Sequence, residues 1–138
     1  MKGIVLTSHG TLAEGLAQSA TFFMGDYVEQ MMCCCLEQDS NPEEFGKELK
    51  EAVQKVDTGD GVVILVDLIG GTPFNEAIKL MNDKADIIAG MNFPILLELL
   101  NERIMESVNI GALLEKGRKG ICDAKEILDQ AVYDEEEE

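Results

Sequence analysis

A single histidine and one aspartate are the residues of this chain whose types and spacing best suit a chemical step. His9 is the only histidine in the sequence, and it follows a short apolar run. Asp67 follows a second apolar run. If the two runs form neighbouring strands, the Asp67 carboxylate can accept a hydrogen bond from Nδ1–H of His9. That bond fixes the tautomer and leaves the Nε2 lone pair outward as a nucleophile.

Small and hydroxyl-bearing residues beside these two side chains predict a site for an anion. Gly10 and Thr11 follow the histidine, and Gly70, Gly71 and Thr72 follow the aspartate. Both groups precede predicted helices, whose free backbone N–H groups and dipoles favour negative charge. The oxygens of a phosphoryl group in transfer need such donors. We therefore predict that His9 is phosphorylated, that Asp67 orients it, and that Gly10, Thr11, Gly70 and Gly71 bind the phosphate.

The two loops contain no positively charged side chains. A phosphatase or mutase would need fixed cations to hold a phosphate monoester. A nucleotide-binding enzyme would need a GxxxxGK[ST] loop, and the sequence has none. A site without its own cations suits a relay in which the partner brings the positive charge at the moment of transfer. We expect neither a metal nor a cofactor.

Alternating apolar runs and helix signals place both loops after strands. Strands are predicted at 3–7, within 28–36, at 62–66 and at 86–89, and helices at 11–24, 42–56, 73–81, 93–105 and 110–119. Thr11 and Glu14 have the spacing of a capping box. Thr72 is a predicted N-cap, with Pro73 as the first helical residue. Residues 122–132 fit either a helix or an edge strand.

The alternation of strands and helices predicts an α/β doubly wound domain with a mainly parallel sheet. We expect a flavodoxin-like sheet of four or five strands in the order 2-1-3-4, with a possible edge strand from the C-terminal part. In such a sheet, chemistry lies beyond the carboxyl ends of the first and third strands. Residues 1–133 are predicted to form one domain, and 134–138 an acidic tail.

Charge excludes several classes of partner. The chain has 138 residues, with 27 Asp and Glu against 11 Lys and Arg, and a net charge of −16. Duplex nucleic acid and anionic lipid both need cationic surfaces, so neither is expected. No apolar run approaches the length of a membrane span, and no leader sequence is recognisable, so we expect a cytoplasmic protein.

The cysteines do not form a metal or redox motif. Cys33, Cys34 and Cys35 are consecutive, and Cys122 is alone, which is neither a disulfide framework nor a CxxC pair. In a strand, Cys33 and Cys35 point to one face and Cys34 to the other. We expect them to be buried small apolar side chains in a reducing compartment.

Together the loops resemble the IIA proteins of the mannose family of the bacterial phosphoenolpyruvate-dependent sugar phosphotransferase system. The matching segments are Ser8-His9-Gly10, Val66-Asp67, GGTPFN at 70–75 and GMNFP at 90–94. The GGTPFN block, at this distance from a histidine at a strand end, is the specific part. The triplet around the histidine alone would be a weak signal.

This resemblance implies a flavodoxin-like fold, a cytosolic homodimer and a phosphotransferase that works as a phosphohistidine relay. His9 would accept a phosphoryl group from the phosphohistidine of HPr and pass it to a histidine of the IIB component. The membrane components IIC and IID would be indirect partners. On this resemblance Asp67 orients the histidine and Thr72 supplies a hydroxyl to the phosphate. Leu68 departs from the family pattern, because some members carry a hydroxyl residue there.

Other functions remain open at this point. The phosphocarrier subunit of dihydroxyacetone kinases shares the fold and the histidine, and a non-catalytic scaffold could keep the fold alone. Histidine phosphatases and mutases carry Arg where Ser8 stands, and they use a second histidine. A flavin-binding flavodoxin is disfavoured by the absence of tryptophan and by only two tyrosines. The resemblance leaves mannose, fructose, sorbose and amino sugars open, since the membrane components mainly select the sugar.

Overall fold

Strands and helices alternate along most of the chain. The computed structural model describes the backbone of residues 1–137 and the side chains of residues 1–130. The strands are β1 (Gly3–His9), β2 (Met31–Leu36), β3 (Val62–Val66) and β4 (Ala85–Ala89). The helices are α1 (Leu12–Met24), α2 (Pro42–Val56), α3 (Gly71–Ile78), α4 (Phe93–Ile104), α5 (Ile110–Lys119) and α6 (Ala124–Glu137). A short 3₁₀ helix, Gly25–Val28, follows α1 and was not predicted.

The four strands form one parallel sheet in the order β2-β1-β3-β4. This confirms the predicted strand order. All five residues of β3 are buried, as expected for a central strand covered on both faces. In the register of the sheet, Thr7 of β1 lies beside Val66 of β3. β1 runs two residues beyond its predicted end, and its last residues, Ser8 and His9, pair with β2. Asp67 directly follows the last residue of β3, so His9 and Asp67 lie at the same edge of the sheet.

Two apolar layers hold the strand ends in place. On one face, Leu6 and Leu65 pack in a cluster with residues of α1 and α4. On the other face, Val5 and Ile64 pack in a cluster with residues of α2 and α3. Burying each such side chain contributes about 1.5–3 kcal/mol. The strands that carry the site are thus anchored from both faces just before they end.

The consecutive cysteines lie in β2 and alternate between these layers. Cys34 is buried in the α2–α3 cluster, whereas Cys33 and Cys35 pack, half-buried, against the α1–α4 cluster. The prediction from strand alternation is confirmed. Cys122 is exposed, so the expectation of buried cysteines is wrong for that residue. Burial is the main cause that raises the pKa of the Cys33 thiol to about 11 and that of Cys34 to about 12. Both thiols are therefore protonated at neutral pH.

Both predicted helix caps at the site are wrong. Thr11 is the N-cap residue of α1 by position, but its φ of −86° and ψ of 9° lie outside the extended region typical of a capping residue, and its side chain makes no capping bond. Helix α3 begins at Gly71 and has Gly70 as its N-cap residue, so Thr72 lies inside the first turn. The chain enters this helix earlier than expected because Gly70 and Gly71 both take a φ of +84°.

The C-terminal part is helical. Residues 124–137 form α6, so of the two structures left open for 122–132 the edge strand is wrong, and the described residues contribute four strands to the sheet. The predicted boundary between a domain at 1–133 and a tail at 134–138 falls within α6 and stays a prediction. Residue 138 lies outside the described backbone. No described helix is both long and apolar enough to span a membrane.

Candidate functional site

His9 and Asp67 meet at the carboxyl edge of the sheet. Nδ1 of His9 lies 2.9 Å from Oδ2 of Asp67, and the same oxygen accepts the backbone N–H of His9 at 2.9 Å. The other carboxylate oxygen, Oδ1, accepts the backbone N–H of Leu68 at 2.9 Å. The aspartate side chain is only 7% exposed, whereas the histidine side chain is 46% exposed. A buried, fully bonded carboxylate therefore holds an imidazole that reaches solvent.

This arrangement fixes which ring nitrogen is reactive. A carboxylate at Nδ1 requires a proton there, so the neutral imidazole carries its lone pair on Nε2. When Nε2 forms a bond, the ring becomes positively charged, and the nearby Asp67 carboxylate stabilises that charge. The pair can therefore act as a nucleophile with an orienting base, the chemistry predicted from the sequence.

Gly71 lies directly against the reactive edge of the imidazole. A Cβ atom at this position would come within 3.0 Å of both Cε1 and Nε2 of His9. The residue also has φ +84°, a region that side chains other than glycine rarely adopt. Because Gly71 is the first residue of α3, the positive end of that helix lies beside Nε2. Glycine here leaves space for a group bonded to the nitrogen.

The remaining predicted phosphate ligands flank the same edge in different ways. Gly10 takes φ +60°, and its N–H already donates to the carbonyl of Leu36 at 2.8 Å. It therefore shapes the turn, and its own N–H is not free for a ligand. Thr11 is exposed, and Gly70 and Thr72 are half-buried on either side of Gly71. That these residues contact a phosphoryl group stays a prediction.

Ser8 is a residue of this site to which the sequence assigned no role. It is fully buried, and its Oγ donates to the carbonyl of Gly10 at 2.9 Å. The same oxygen accepts the N–H of Ala13 at 2.9 Å, inside the first turn of α1. Ser8 thus makes the contact expected of Thr11. The only sequence feature that could have indicated this role is the hydroxyl residue directly before the histidine.

Three exposed apolar side chains lie close in sequence to His9 and Asp67. Leu68 and Ile69 follow the aspartate and are 49% and 76% exposed, and Leu12 after the histidine is 51% exposed. We call these three residues the apolar rim. Exposed apolar side chains beside a reactive group are typical of surfaces that contact another protein. Among the described residues, no group of three or more His, Cys, Asp or Glu side chains is placed to hold a metal ion.

A comparison with known families identifies the family of this chain. The family model EIIA-man, described as "PTS system fructose IIA component", matches residues 3–117. The chain belongs to the EIIA-man family. This confirms the resemblance on which the sequence was interpreted. It does not favour the alternative of a dihydroxyacetone kinase subunit.

Curated relatives in the EIIA-man family carry sugar phosphotransferase names. The chain is 33% identical over 123 residues to the "PTS system mannose-specific EIIAB component" of Escherichia coli K12, a match covering 86% of the chain and 38% of that relative. It is 27% identical over 105 residues to the "PTS system fructose-specific EIIA component" of Bacillus subtilis 168, covering 75% and 71%. The chain thus spans well under half of the mannose-specific relative.

Solved structures agree on the fold. The PTS IIA protein associated with the fucose utilization operon of Streptococcus pneumoniae superposes with a TM-score of 0.81 at 30% identity, covering 92% of this chain and 96% of that one. The mannose/sorbose-specific IIA subunit from Enterococcus faecalis gives a TM-score of 0.76 at 22% identity, covering 89% and 95%, which supports the fold alone. The expected α/β fold of this family is confirmed.

Proposed function

We propose that this chain is a phosphohistidine carrier of a sugar phosphotransferase system, with His9 as the phosphorylated residue. The observation that carries the proposal is the exposed imidazole whose Nδ1 lies 2.9 Å from the buried carboxylate of Asp67. That geometry leaves Nε2 free and nucleophilic. Membership of the EIIA-man family supports the same role.

The transfer balances as an exchange between two imidazoles. Nε2 of His9 attacks the phosphorus of the donor phosphohistidine, and the N–P bond to the donor ring breaks. The electron pair of that bond returns to the donor ring. His9 then holds the phosphoryl group on Nε2 and a proton on Nδ1, with its positive charge beside Asp67. The second transfer repeats these steps with His9 as the donor.

Protein partners suit this site better than a small substrate. The two loops carry no Lys or Arg, so cations that balance the phosphoryl charge must come from the partner. The apolar rim gives such a partner a surface to pack against. HPr is the proposed donor and the IIB component the proposed acceptor, in the cytoplasm. IIC and IID take part only indirectly, beyond IIB.

A homodimer is also part of the proposal. Every residue from 121 to 130 is exposed, including Ile121, Ile127 and Leu128. A 14-residue helix on its own is marginal in water, so a second copy that covers the exposed residues 124–129 of α6 would stabilise it. Sedimentation at micromolar concentration should give twice the 15.1 kDa chain mass. A monomer at that concentration would refute the dimer without affecting the relay.

The relay is tested by intact mass after incubation with phosphoenolpyruvate, enzyme I and HPr. We expect one added phosphoryl group that acid removes. The His9→Ala variant should gain none, because the chain has no other histidine. An unchanged mass of the wild-type chain, in a reaction where HPr itself is phosphorylated, would reject this function and favour a scaffold of the same fold.

A further inference from the structure

Ser8 joins the strand that carries His9 to the helix that follows it. Its side chain is 0% exposed, and its Oγ bonds to two backbone groups that flank the histidine on the C-terminal side. It donates to the Gly10 carbonyl and accepts the Ala13 N–H, each at 2.9 Å. A hydroxyl group uses its single proton and one lone pair in this arrangement.

These two bonds hold the start of α1 in a defined position. The first N–H groups of a helix have no partner within the helix, and here the Ala13 N–H is satisfied by Ser8. Gly10 is held at φ +60°, which turns the chain sharply between His9 and α1. The backbone N–H groups of Thr11 and Leu12 have no acceptor within the described part of the chain. They are donors left available at the same edge as the imidazole.

Two side chains therefore fix His9 from opposite directions. Asp67 binds the ring at Nδ1 and the backbone N–H of the histidine. Ser8 fixes the backbone that follows the histidine and the first turn of α1. Thr11 does not duplicate this role, because its side chain makes no capping bond.

We propose that Ser8 is a positioning residue for phosphoryl transfer at His9, acting through the turn at Gly10 and the start of α1. The inference rests on the proposed function of His9 and adds to it a residue that touches neither the phosphoryl group nor a partner. Loss of the hydroxyl leaves the Gly10 carbonyl and the Ala13 N–H without their bond. The turn then relaxes, and misplacement of reacting groups by 1 Å can slow a reaction about 10²-fold.

Thr7 offers a matched control one residue away. It is also 0% exposed, and its Oγ1 donates to the Cys34 carbonyl at 2.8 Å. Neighbouring residues of a strand point to opposite faces, so this bond ties β1 to β2 and does not reach α1. Thr7→Val and Ser8→Ala each remove one buried hydroxyl from the same strand. A loss caused by stability alone should be similar in the two variants.

The experiment measures phosphorylation of His9 by phospho-HPr at several donor concentrations, with the melting temperature of each variant. For Ser8→Ala we expect a kcat about 10-fold or more below the wild type, with the donor KM within about 2-fold, because the surface that meets the partner is unchanged. Thr7→Val should keep its kcat within about 2-fold. Ser8→Thr retains the hydroxyl and should recover most of the rate.

Other results would overturn the inference and separate it from the function itself. If Ser8→Ala and Thr7→Val lose equal rate and equal melting temperature, Ser8 has only a structural role. If Ser8→Ala changes KM alone, Ser8 shapes the docking surface and does not position the histidine. If the wild-type protein is not phosphorylated, both the proposed function and this inference are wrong. If the wild type is phosphorylated and Ser8→Ala is fully active, only the role of Ser8 is wrong.

Discussion

Backbone N–H groups hold the Asp67 carboxylate in place in addition to its contact with the imidazole. Its two oxygens accept the backbone N–H groups of His9 and Leu68 as well as facing Nδ1 of the ring. A carboxylate has enough acceptor positions for all three donors, and its 7% exposure removes water as a competitor. The direction of the imidazole is therefore set by contacts that do not depend on whether a partner is bound.

Asp67→Asn should keep the fold and slow phosphorylation of His9. An asparagine offers one acceptor oxygen in place of two. Either a backbone N–H group or Nδ1 of the His9 ring therefore loses its acceptor. Its NH₂ group can also donate to Nδ1 and so stabilise the wrong tautomer. We expect a rate of phosphorylation by phospho-HPr about 10²-fold lower, measured by rapid quench. Transfer by Asp67→Ala at the wild-type rate would contradict the orienting role.

Gly71→Ala should block the reactive nitrogen. The new Cβ atom would stand 3.0 Å from Nε2 and Cε1 of His9, and Nε2 is the atom that the proposed function phosphorylates. The positive φ adds a backbone cost of about 1–2 kcal/mol. We expect a folded but less stable protein whose phosphorylation is slowed by about 10²-fold.

Gly70→Ala is the control for that strain. Gly70 has the same φ of +84°, but a Cβ atom there meets nothing within 4 Å. Both variants should lose free energy of unfolding in urea, and Gly70→Ala should lose at least as much, because φ +84° with ψ 167° is a conformation that essentially only glycine adopts. Gly70→Ala should nonetheless keep at least about 10-fold more activity than Gly71→Ala. Equal activity in both variants would show that strain, and not obstruction of Nε2, explains the loss.

Residue types revealed the reactive pair from the sequence, but not the contacts that support it. His9 is the only histidine, and Asp67 follows a run of buried apolar residues, so the predicted strand order was enough to bring them together. The choice between Ser8 and Thr11 as the cap of α1 depends on backbone angles at Thr11, and spacing does not determine those angles. The cap was assigned to the wrong hydroxyl for that reason.

At the scale of elements, periodicity located the strands and helices, while glycines displaced some of their ends. The runs of β3 and α2 are long and regular, and their bounds match the predictions. Helix α3 begins two residues before the predicted Pro73, because Gly70 and Gly71 turn the chain into the helix. The same shift places Gly71 against the ring. The positive φ of Gly70 and Gly71 therefore accounts for both the early start of α3 and the open space at Nε2 of His9.

Strand β2 carries a pH dependence that follows from its buried thiols. Burial raises the pKa of Cys33 to about 11 and that of Cys34 to about 12, from 9.0. Because the folded pKa lies above the unfolded one, the neutral thiols stabilise the fold fully below about pH 9. That contribution is lost as the pH rises from 9 toward 12. The free energy of unfolding in urea should therefore fall between pH 8 and pH 10.5.

A double variant separates the thiols from other groups that titrate in the same range. Cys33→Ala with Cys34→Ala should be less stable at pH 8, because each substitution removes a packed sulfur atom. It should nonetheless lose less stability than the wild type between pH 8 and pH 10.5. The same loss in the double variant would assign the alkaline transition to other groups.

At the scale of the whole molecule, the negative net charge and the lack of cations in the site loops both favour a partner that carries positive charge. The chain carries −16, yet the loops that hold His9 and Asp67 contain no Lys or Arg. A partner that brings a phosphoryl group must therefore bring cations with it, and the negative field of this molecule attracts those cations over a distance. That field is screened within about 10 Å at 0.1 M salt. Attraction should appear in the rate of encounter, and the chemistry at Nε2 should not change.

Raising the salt concentration should therefore lower kcat/KM for transfer from phospho-HPr and leave kcat unchanged. Steering of this kind changes association rates by 10-fold or more, so we expect about a 10-fold fall between 0.02 and 0.3 M salt. A kcat/KM that stays constant across this range would refute the electrostatic role.

Two single neutralisations locate the effect on the surface. Glu43 lies in the first turn of α2, which follows the carboxyl end of β2 and so lies at the edge that holds His9. Glu106 follows α4 and lies near the opposite edge. At low salt, Glu43→Gln should lower kcat/KM about 2-fold and Glu106→Gln much less, because charges near the contact surface dominate encounter rates. Equal losses would mean that the partner responds to net charge alone, and the acidic residues around the site would then have no special part in guiding it.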